Sequence, residues 1–233
     1  MPTATYQTRR GELLDYFDRT ALRAWERLTS DAPVSGIRAT VRAGRDAMRA
    51  TLLSWLPADM TGLRLLDAGC GTGALAMEAA KRGAQVTAID IAPGLIELAR
   101  QRAGEVEGPG SVAFMVGDMF DPALGRFDHV VAMDSLIHYR PEDTVRVLAG
   151  LAARTDVSLA FTFAPRTALL SVMHAAGRFF PRGDRAPSIV PVADAALRGL
   201  IGREPGLKDF TVGEDRRIAS GFYTSHAMEL RRR

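Results

Sequence analysis

The chain's clearest chemistry lies in Leu65-Leu66-Asp67-Ala68-Gly69-Cys70-Gly71-Thr72-Gly73. An apolar run ends at a carboxylate and breaks into alternating glycines, and a helix-compatible run, Ala74 to Lys81, follows. Glycine lacks a Cβ, so a ligand can lie against the main chain. The helix start beyond it offers unpaired N–H groups and the positive end of a dipole. The pattern suits a charged ligand that carries a nucleoside. Gly69, Gly71 and Ala74 also satisfy the looser dinucleotide fingerprint, with an acid about 20 positions further on. Asp67 argues against that reading, because a carboxylate there would repel a pyrophosphate. It suits a ligand with a positive amino group. The bland alternative is a glycine-rich turn that holds nothing.

Three more acids share its kind of address. Asp90 closes the apolar run Val86 to Ile89 and is placed to accept from both ribose hydroxyls; its other possible duty is to cap the helix near Pro93. Asp118 follows Gly117, and Met119 and Ile91 are suited to sandwich a flat ring. A simple turn is the alternative there. Asp134 ends a fourth apolar run, His129 to Met133, and either faces the same crevice or caps a helix. His138 stands four residues beyond Asp134 and opens into the same crevice; histidine handles protons near neutral pH. His129, His174 and His226 lack that address and read as structural.

These groups need a scaffold that gathers strand ends. Strands are predicted at Arg64–Ala68, Gln85–Ile89, Val112–Val116, His129–Met133 and Val157–Phe163. Helices are predicted between them at Gly73–Arg82, Pro93–Gly104 and Glu142–Arg154. The alternation implies a doubly wound α/β fold with a mostly parallel sheet, in which ligands bind at the carboxyl ends of the strands. Two helices precede it, Gly11–Ser30 and Ser35–Leu56, separated by Ala32-Pro33. They make residues 1–57 a helical cap on the domain formed by 58–233. After Phe163 an apolar helix, Thr167–Phe180, and an Arg/Gly/Pro-rich loop, Pro181–Pro191, form a long connection. Residues 165–192 read as a substrate lid, with Leu169, Leu170, Met173, Phe179 and Phe180 beside Arg166, Arg178, Arg182 and Arg185. An ordinary packing helix with a solvated loop is the plainer alternative. A helix at Val192–Gly202 and strands at Lys208–Glu214 and Phe222–Arg231 complete a seven-stranded sheet.

Composition bounds the function. The 233 residues fit one large domain, 47% hydrophobic and 24% charged. A net charge of +3 does not by itself imply nucleic acid. Lys81 and Lys208 are the only lysines, so 28 of the 30 basic residues are arginines, a bias best explained by genomic base composition. The single Cys70 excludes an internal disulfide and fits a reducing, cytoplasmic setting; it reads as a packing residue. No signal peptide and no run of the ~20 apolar residues needed to span a bilayer are visible. Peripheral attachment stays open.

The D-x-G-x-G-x-G pattern resembles the first motif of the class I S-adenosylmethionine-dependent methyltransferases. That likeness implies S-adenosylmethionine as cofactor and S-adenosylhomocysteine as product. It implies a cofactor set of Asp67, Ala68, Gly69, Gly71, Gly73, Asp90, Ile91, Gly117, Asp118, Met119, Met133 and Asp134, with Asp67 near the methionine end and Asp118 at the adenine amino group. Over most of its length the chain is similar to the magnesium-protoporphyrin IX methyltransferases of chlorophyll and bacteriochlorophyll synthesis. The likeness includes Asp15-Tyr16-Phe17 followed by Trp25, Asp134-Ser135-Leu136-Ile137-His138-Tyr139, Phe163-Ala164-Pro165 and Gly221-Phe222-Tyr223. The family tends to carry Ile-Tyr after the tryptophan, where this chain has Leu28-Thr29, so that tyrosine's role is not carried over and Tyr16 is the nearest aromatic hydroxyl.

The implied reaction is methyl transfer to one propionate of magnesium-protoporphyrin IX, giving the monomethyl ester. His138 orients the propionate, with Tyr16 or Tyr139 assisting. Arg166 and Phe179 contact the substrate, and a lid arginine holds its second propionate. No protein-bound metal is expected; magnesium enters only within the substrate. The resemblance also implies handover from the magnesium chelatase. Two rivals remain: methylation of another apolar acceptor, such as a quinone or phenol hydroxyl, with His138 as base, or a non-catalytic tetrapyrrole carrier.

Overall fold

The computed structural model describes residues 3–20, 29, 36–104, 106–166 and 188–233. Seven strands form one sheet: β1 (Arg64–Ala68), β2 (Gln85–Asp90), β3 (Ser111–Val116), β4 (Phe127–Ala132), β5 (Thr155–Phe163), β6 (Phe210–Ser220) and β7 (Tyr223–Arg232). Their order is β3-β2-β1-β4-β5-β7-β6. The first five pair in parallel; β7 runs antiparallel between β5 and β6. The described helices are α1 (Ala4–Asp15), α2 (Ile37–Ser54), α3 (Ala74–Lys81), α4 (Pro93–Ala103), α5 (Pro141–Ala152) and α6 (Asp194–Ile201). Proline opens both α4 and α5, where its missing N–H costs no bond, and Glu142 and Asp143 meet the positive end of α5.

Each sheet face carries its own core. Leu66, Val130, Leu159, Phe161 and Met228 pack with Tyr6 and Leu13 of α1, Leu148 of α5 and Leu197 of α6. Leu65, Val131, Ala160 and Ala227 pack with Met48 and Leu52 of α2 and Ala76 of α3. Alternate residues of one strand thus serve opposite faces, and the two N-terminal helices lie on opposite faces too.

The first helix departs from its predicted bounds. It starts at Ala4 instead of Gly11 and gives way after Asp15 to a π-helical turn, Tyr16–Thr20. Thr3 caps it, its Oγ1 accepting from the Tyr6 N–H at 3.0 Å. Two buried contacts two turns apart, Tyr6 and Leu13, hold it, while Arg9 and Arg10 between them hide the pattern. Thr3 and Thr5 donate to the buried carboxylate of Asp143 on α5, Thr5 at 2.7 Å. The remainder of the predicted first helix, Trp25 and Ala32-Pro33 lie outside the described residues.

The final hairpin is also longer than expected. β6 runs on through Asp215, Arg216 and Arg217 to Ser220 and pairs with β7 up to Ser220↔Tyr223. It is an exposed edge, so its sequence lacks apolar alternation. The predicted lid helix Thr167–Phe180 and most of its loop, with His174 and the named apolar and arginine residues other than Arg166, lie outside the described residues. At its described ends Pro165 bridges Val192 in parallel. The Val190 N–H donates to Ile137 O at 2.8 Å, beside His138.

Candidate active site

Strand order reverses between β1 and β4, and the crevice beyond their carboxyl ends holds a cavity of about 360 Å³, within the range of ligand clefts. Asp67, Gly69, Gly71, Asp90, Ile91, Gly117, Met119, Met133, Asp134, His138 and Tyr139 all line it. So do Tyr6, Leu13, Phe17, Thr29, Arg42, Arg45, Arg49, Leu95 and Ser135. Ala68, Gly73, Asp118, Tyr16 and Arg166 stand outside the lining. Phe179 lies outside the described residues.

Asp67, next to last in β1, is 2% exposed, and its Oδ2 has no hydrogen-bond partner. Burial pushes its carboxyl up to about 7; the nearby Asp90 charge adds to this, and the Ala76 N–H of α3 opposes it. A buried, unpartnered carboxylate oxygen is destabilising until a cation arrives. An ammonium group is a cation of the right kind to satisfy it.

The glycines divide their labour. Gly69 has φ +83, and a Cβ there would lie 2.3 Å from the Ser135 Cβ. Its bareness lets the loop after β4 close in, where the Ser135 hydroxyl donates to Ala68 O at 2.8 Å. A Cβ on Gly73 would meet the Phe114 ring at 2.5 Å, so that glycine serves packing of α3. Gly71, at φ +55, has nothing within 4 Å of its would-be Cβ and lines the cavity. It is the position where main chain lies open to a ligand.

Asp90 is oriented by two backbone donors, Gly71 N–H to Oδ2 at 2.9 Å and Ala92 N–H to Oδ1 at 3.0 Å. Each oxygen keeps acceptor capacity for a ribose hydroxyl. Burial raises its carboxyl above the usual range. The Cys70 thiol is pushed up by burial and by Asp67 and Asp90, which keeps it protonated. Ile91, Leu95, Gly117 and Met119 give the cavity an apolar stretch of wall.

Asp118 is already engaged. Its Oδ1 accepts from the Tyr6 hydroxyl at 3.0 Å and the Phe120 N–H at 2.9 Å, and its Oδ2 faces Arg10 Nε at 3.0 Å. Tyr6 stacks on Tyr139, with ring centroids 4.8 Å apart. Burial raises both phenols, so both stay neutral donors. Asp134 adopts a left-handed φ of +53. Its carboxylate meets Arg45 Nη1 at 2.8 Å, the Tyr223 hydroxyl at 3.1 Å, and Ser225 and Thr162 at 3.2 Å.

His138 is 8% exposed, on the turn where the Tyr139 N–H donates to Leu136 O at 3.1 Å. The Phe17 ring lies 6.1 Å from its imidazole. Tyr16 is half-buried against Phe17 at 5.2 Å, and Phe17 faces the cavity in its place. Arg166 is exposed. His129 is buried on Ser158 Oγ at 2.9 Å, and His226 stacks on Phe163. Among the described residues no cluster of three His, Cys, Asp or Glu is arranged to hold a metal ion.

Sequence reasoning missed Tyr6, Phe17 and the arginines of α2. For Tyr6 a signal was present: Thr3 is a good N-cap, and Tyr6 and Leu13 are two turns apart. Arg42, Arg45 and Arg49 recur at helical spacing and share one face. Nothing local reveals that this face borders a cavity.

Residues 132–232 match the family model for the magnesium-protoporphyrin IX methyltransferase C-terminus, and residues 65–155 match a methyltransferase domain. The chain is 51% identical to the magnesium-protoporphyrin O-methyltransferase of Rhodobacter capsulatus, over 97% of this chain and 98% of that one. It is 31% identical to the Synechocystis protein of the same name, over 92% and 93%. The crystal structure of the Synechocystis PCC 6803 magnesium protoporphyrin IX methyltransferase with bound SAH superposes with a TM-score of 0.83 at 30% identity, covering 96% of this chain and all of that one. A strand-end cavity with an acidic floor and full-length likeness to these proteins lead to one assignment: the chain belongs to the magnesium-protoporphyrin O-methyltransferase family of class I S-adenosylmethionine-dependent methyltransferases.

Proposed function

We infer that this chain transfers a methyl group from S-adenosylmethionine to one propionate of magnesium-protoporphyrin IX, forming the monomethyl ester in the route to chlorophylls. The observation that carries the reading is Asp67: a buried carboxylate on the cavity wall with an oxygen awaiting a cation. Full-length likeness to proteins named for this reaction supports the acceptor.

The cofactor's contribution is an electrophilic methyl on a sulfonium sulfur. Asp67 would hold its amino group and Asp90 its ribose hydroxyls, with the base against Ile91, Leu95 and Met119. A propionate has a reference pKa near ~4.3 and is ionised at neutral pH, so the chain needs no strong base. Its task is alignment, which can supply as much as ~7–11 kcal/mol in well-oriented reactions. His138 reaches the cavity from the loop after β4 and orients the reacting carboxylate. Tyr139 beside it stays a neutral phenol and donates without taking a proton. Attack cancels charge between carboxylate and sulfonium, so a dry site helps. α1 and α2, which bring Tyr6, Leu13 and Arg45 to the wall, keep water out.

Handover from the chelatase and peripheral membrane contact belong to this proposal. No described helix is long and apolar enough to cross a membrane. Ile37 and Phe222 are large apolar side chains, 55% and 53% exposed. The close approach of Gly221 to Thr40 brings their segments together. Co-sedimentation with anionic vesicles that Phe222→Ser does not weaken would remove membrane contact from the reading.

The main test is incubation with methyl-labelled S-adenosylmethionine, magnesium-protoporphyrin and a panel of phenols and quinols. Label is expected in the porphyrin monoester. Label in a phenol alone would overturn the acceptor, and label in nothing would favour a carrier.

A further inference from the structure

Two acids on the cavity wall are in opposite states. Asp67 keeps an oxygen with no hydrogen-bond partner. Asp134 is saturated. Arg45 of α2 donates from Nη1 to its Oδ2 at 2.8 Å. The Tyr223 hydroxyl of β7 reaches both oxygens at 3.1 Å. Ser225 of β7 and Thr162 of β5 donate to Oδ1 at 3.2 Å. A carboxylate accepts about four hydrogen bonds, and these partners supply them. The Asp134 side chain is only 6% exposed. No acceptor position is left for the ammonium or a hydroxyl of a cofactor.

Its backbone is unusual as well. Among the described residues Asp134 is the only one other than glycine with a positive φ, +53. A Cβ strains that conformation, although aspartate tolerates it better than most residues. The residue lies two positions past the end of β4 and turns the chain there. Thr162 holds it twice: its Oγ1 accepts from the Asp134 N–H at 2.7 Å and donates back to the carboxylate. Burial, and then the Asp134 charge, raises the Tyr223 phenol, so it stays a donor. Partners on one helix and two strands therefore fix a strained turn, and strain of this kind persists only where surroundings over-determine it.

The residues after the turn belong to the site. Ser135 comes to Gly69 and is pinned there by its own bond to Ala68 O. Leu136 is buried, and His138 reaches the cavity wall four residues beyond Asp134. The direction in which the chain leaves β4 sets where His138 arrives. We propose that Asp134 is the positioning residue for His138, held to that task by Tyr223, Ser225 and Thr162, and that its carboxylate does not bind the cofactor. The inference rests on the orienting role given to His138 above. Asp134 thus leaves the cofactor set implied by the resemblance and joins the acceptor side. Alignment of carboxylate, methyl and sulfur tolerates little error, because a misplacement of about 1 Å can cost roughly a hundredfold in rate.

The test is a double-mutant cycle between Tyr223→Phe and His138→Ala, read as methyl transfer to magnesium-protoporphyrin at saturating substrates. Tyr223→Phe keeps the ring on which Gly44 packs and removes only the hydroxyl. It is expected to lower kcat roughly tenfold and to leave S-adenosylhomocysteine affinity, read by calorimetry, within about threefold of wild type. In the His138→Ala background the same change should lower kcat by less than about twofold, because a ring that is gone cannot be misplaced. Ser225→Ala, put through the same cycle, is expected to behave alike. Thr162→Ser should restore most of the turnover that Thr162→Val loses, since it returns the hydroxyl. Equal losses in both backgrounds overturn the link to His138 and leave a merely structural network. Wild-type kcat in Tyr223→Phe and Ser225→Ala overturns it as well. An Asp134→Asn variant that loses S-adenosylhomocysteine while keeping kcat would return the residue to the cofactor. If wild type labels no porphyrin, or His138→Ala turns over like wild type, the functional reading falls first and takes this one with it.

Discussion

The hydroxyl of Tyr6, near the start of the chain, donates to Asp118 Oδ1 at 3.0 Å, beyond the end of β3. With Arg10 on Oδ2, this bond ties α1 to the loop expected to meet adenine. Tyr6→Phe keeps the ring stack on Tyr139 and removes only the donor. Asp118 retains Arg10 and the Phe120 N–H. The expected cost is about 1.5–3 kcal/mol, as for hydrogen bonds to charged groups, or roughly 3–12 °C in the thermal midpoint at this size. An unchanged melting curve would show that α1 is held without this bond.

Asp67 gives a second prediction through its raised pKa. Its carboxyl titrates near 7 in the folded protein against an ordinary 3.8. A raised carboxyl favours the folded state fully below the unfolded value, and that contribution is lost as pH rises through about 7. Removing the charge with Asp67→Asn should therefore stabilise the ligand-free protein at pH 8, by up to about 4 kcal/mol. The same change should weaken S-adenosylhomocysteine at least a hundredfold, because the ammonium loses its anion. Thermal melts with and without ligand read both effects, and a destabilised, still-binding variant would contradict the assignment.

Cofactor affinity should follow the same group. Below about pH 7 the proton on Asp67 competes with the ligand's ammonium, so affinity falls towards tenfold per pH unit. Above pH 8 this dependence should vanish. Calorimetry from pH 5.5 to 8.5 would detect it, and a flat profile would mean that the ammonium binds elsewhere.

Two of the cavity-lining glycines, Gly69 and Gly71, should fail differently. Gly69→Ala forces a Cβ onto Ser135 at 2.3 Å and a left-handed φ on a residue that resists it; a loss of about 1–3 kcal/mol is expected. Gly71→Ala meets open space, so only the strain of about 1–2 kcal/mol opposes folding. Its methyl group projects into the ligand's path. It should melt nearly normally yet bind S-adenosylhomocysteine poorly. The reverse pattern would exchange their roles.

His138→Ala should lower kcat by up to roughly a hundredfold and change cofactor affinity far less, since the proposed role of the ring is to orient the acceptor. A turnover equal to wild type would remove it from the mechanism.

Local pattern was enough to reveal the strand-end acids and the glycine turn. Leu65-Leu66-Asp67 is apolar on both sides because β1 is central and covered on both faces, and Asp67, Asp90 and Asp134 do meet one cavity. Such features depend on residues close in the chain, so spacing alone exposes them. Tertiary structure decided the rest. Tyr6 and Asp118 stand 112 residues apart, and Arg45 and Asp134 stand 89 apart. No periodicity reports a partner at that distance. The arginines of α2 look in sequence like a solvated helix face, and the packing of Gly44, Met48 and Leu52 on the sheet turns that face to the cavity. Burial and long-range charge also set the Asp67 carboxyl near 7, because desolvation depends on what the whole fold packs around a group and not on its neighbours in the chain.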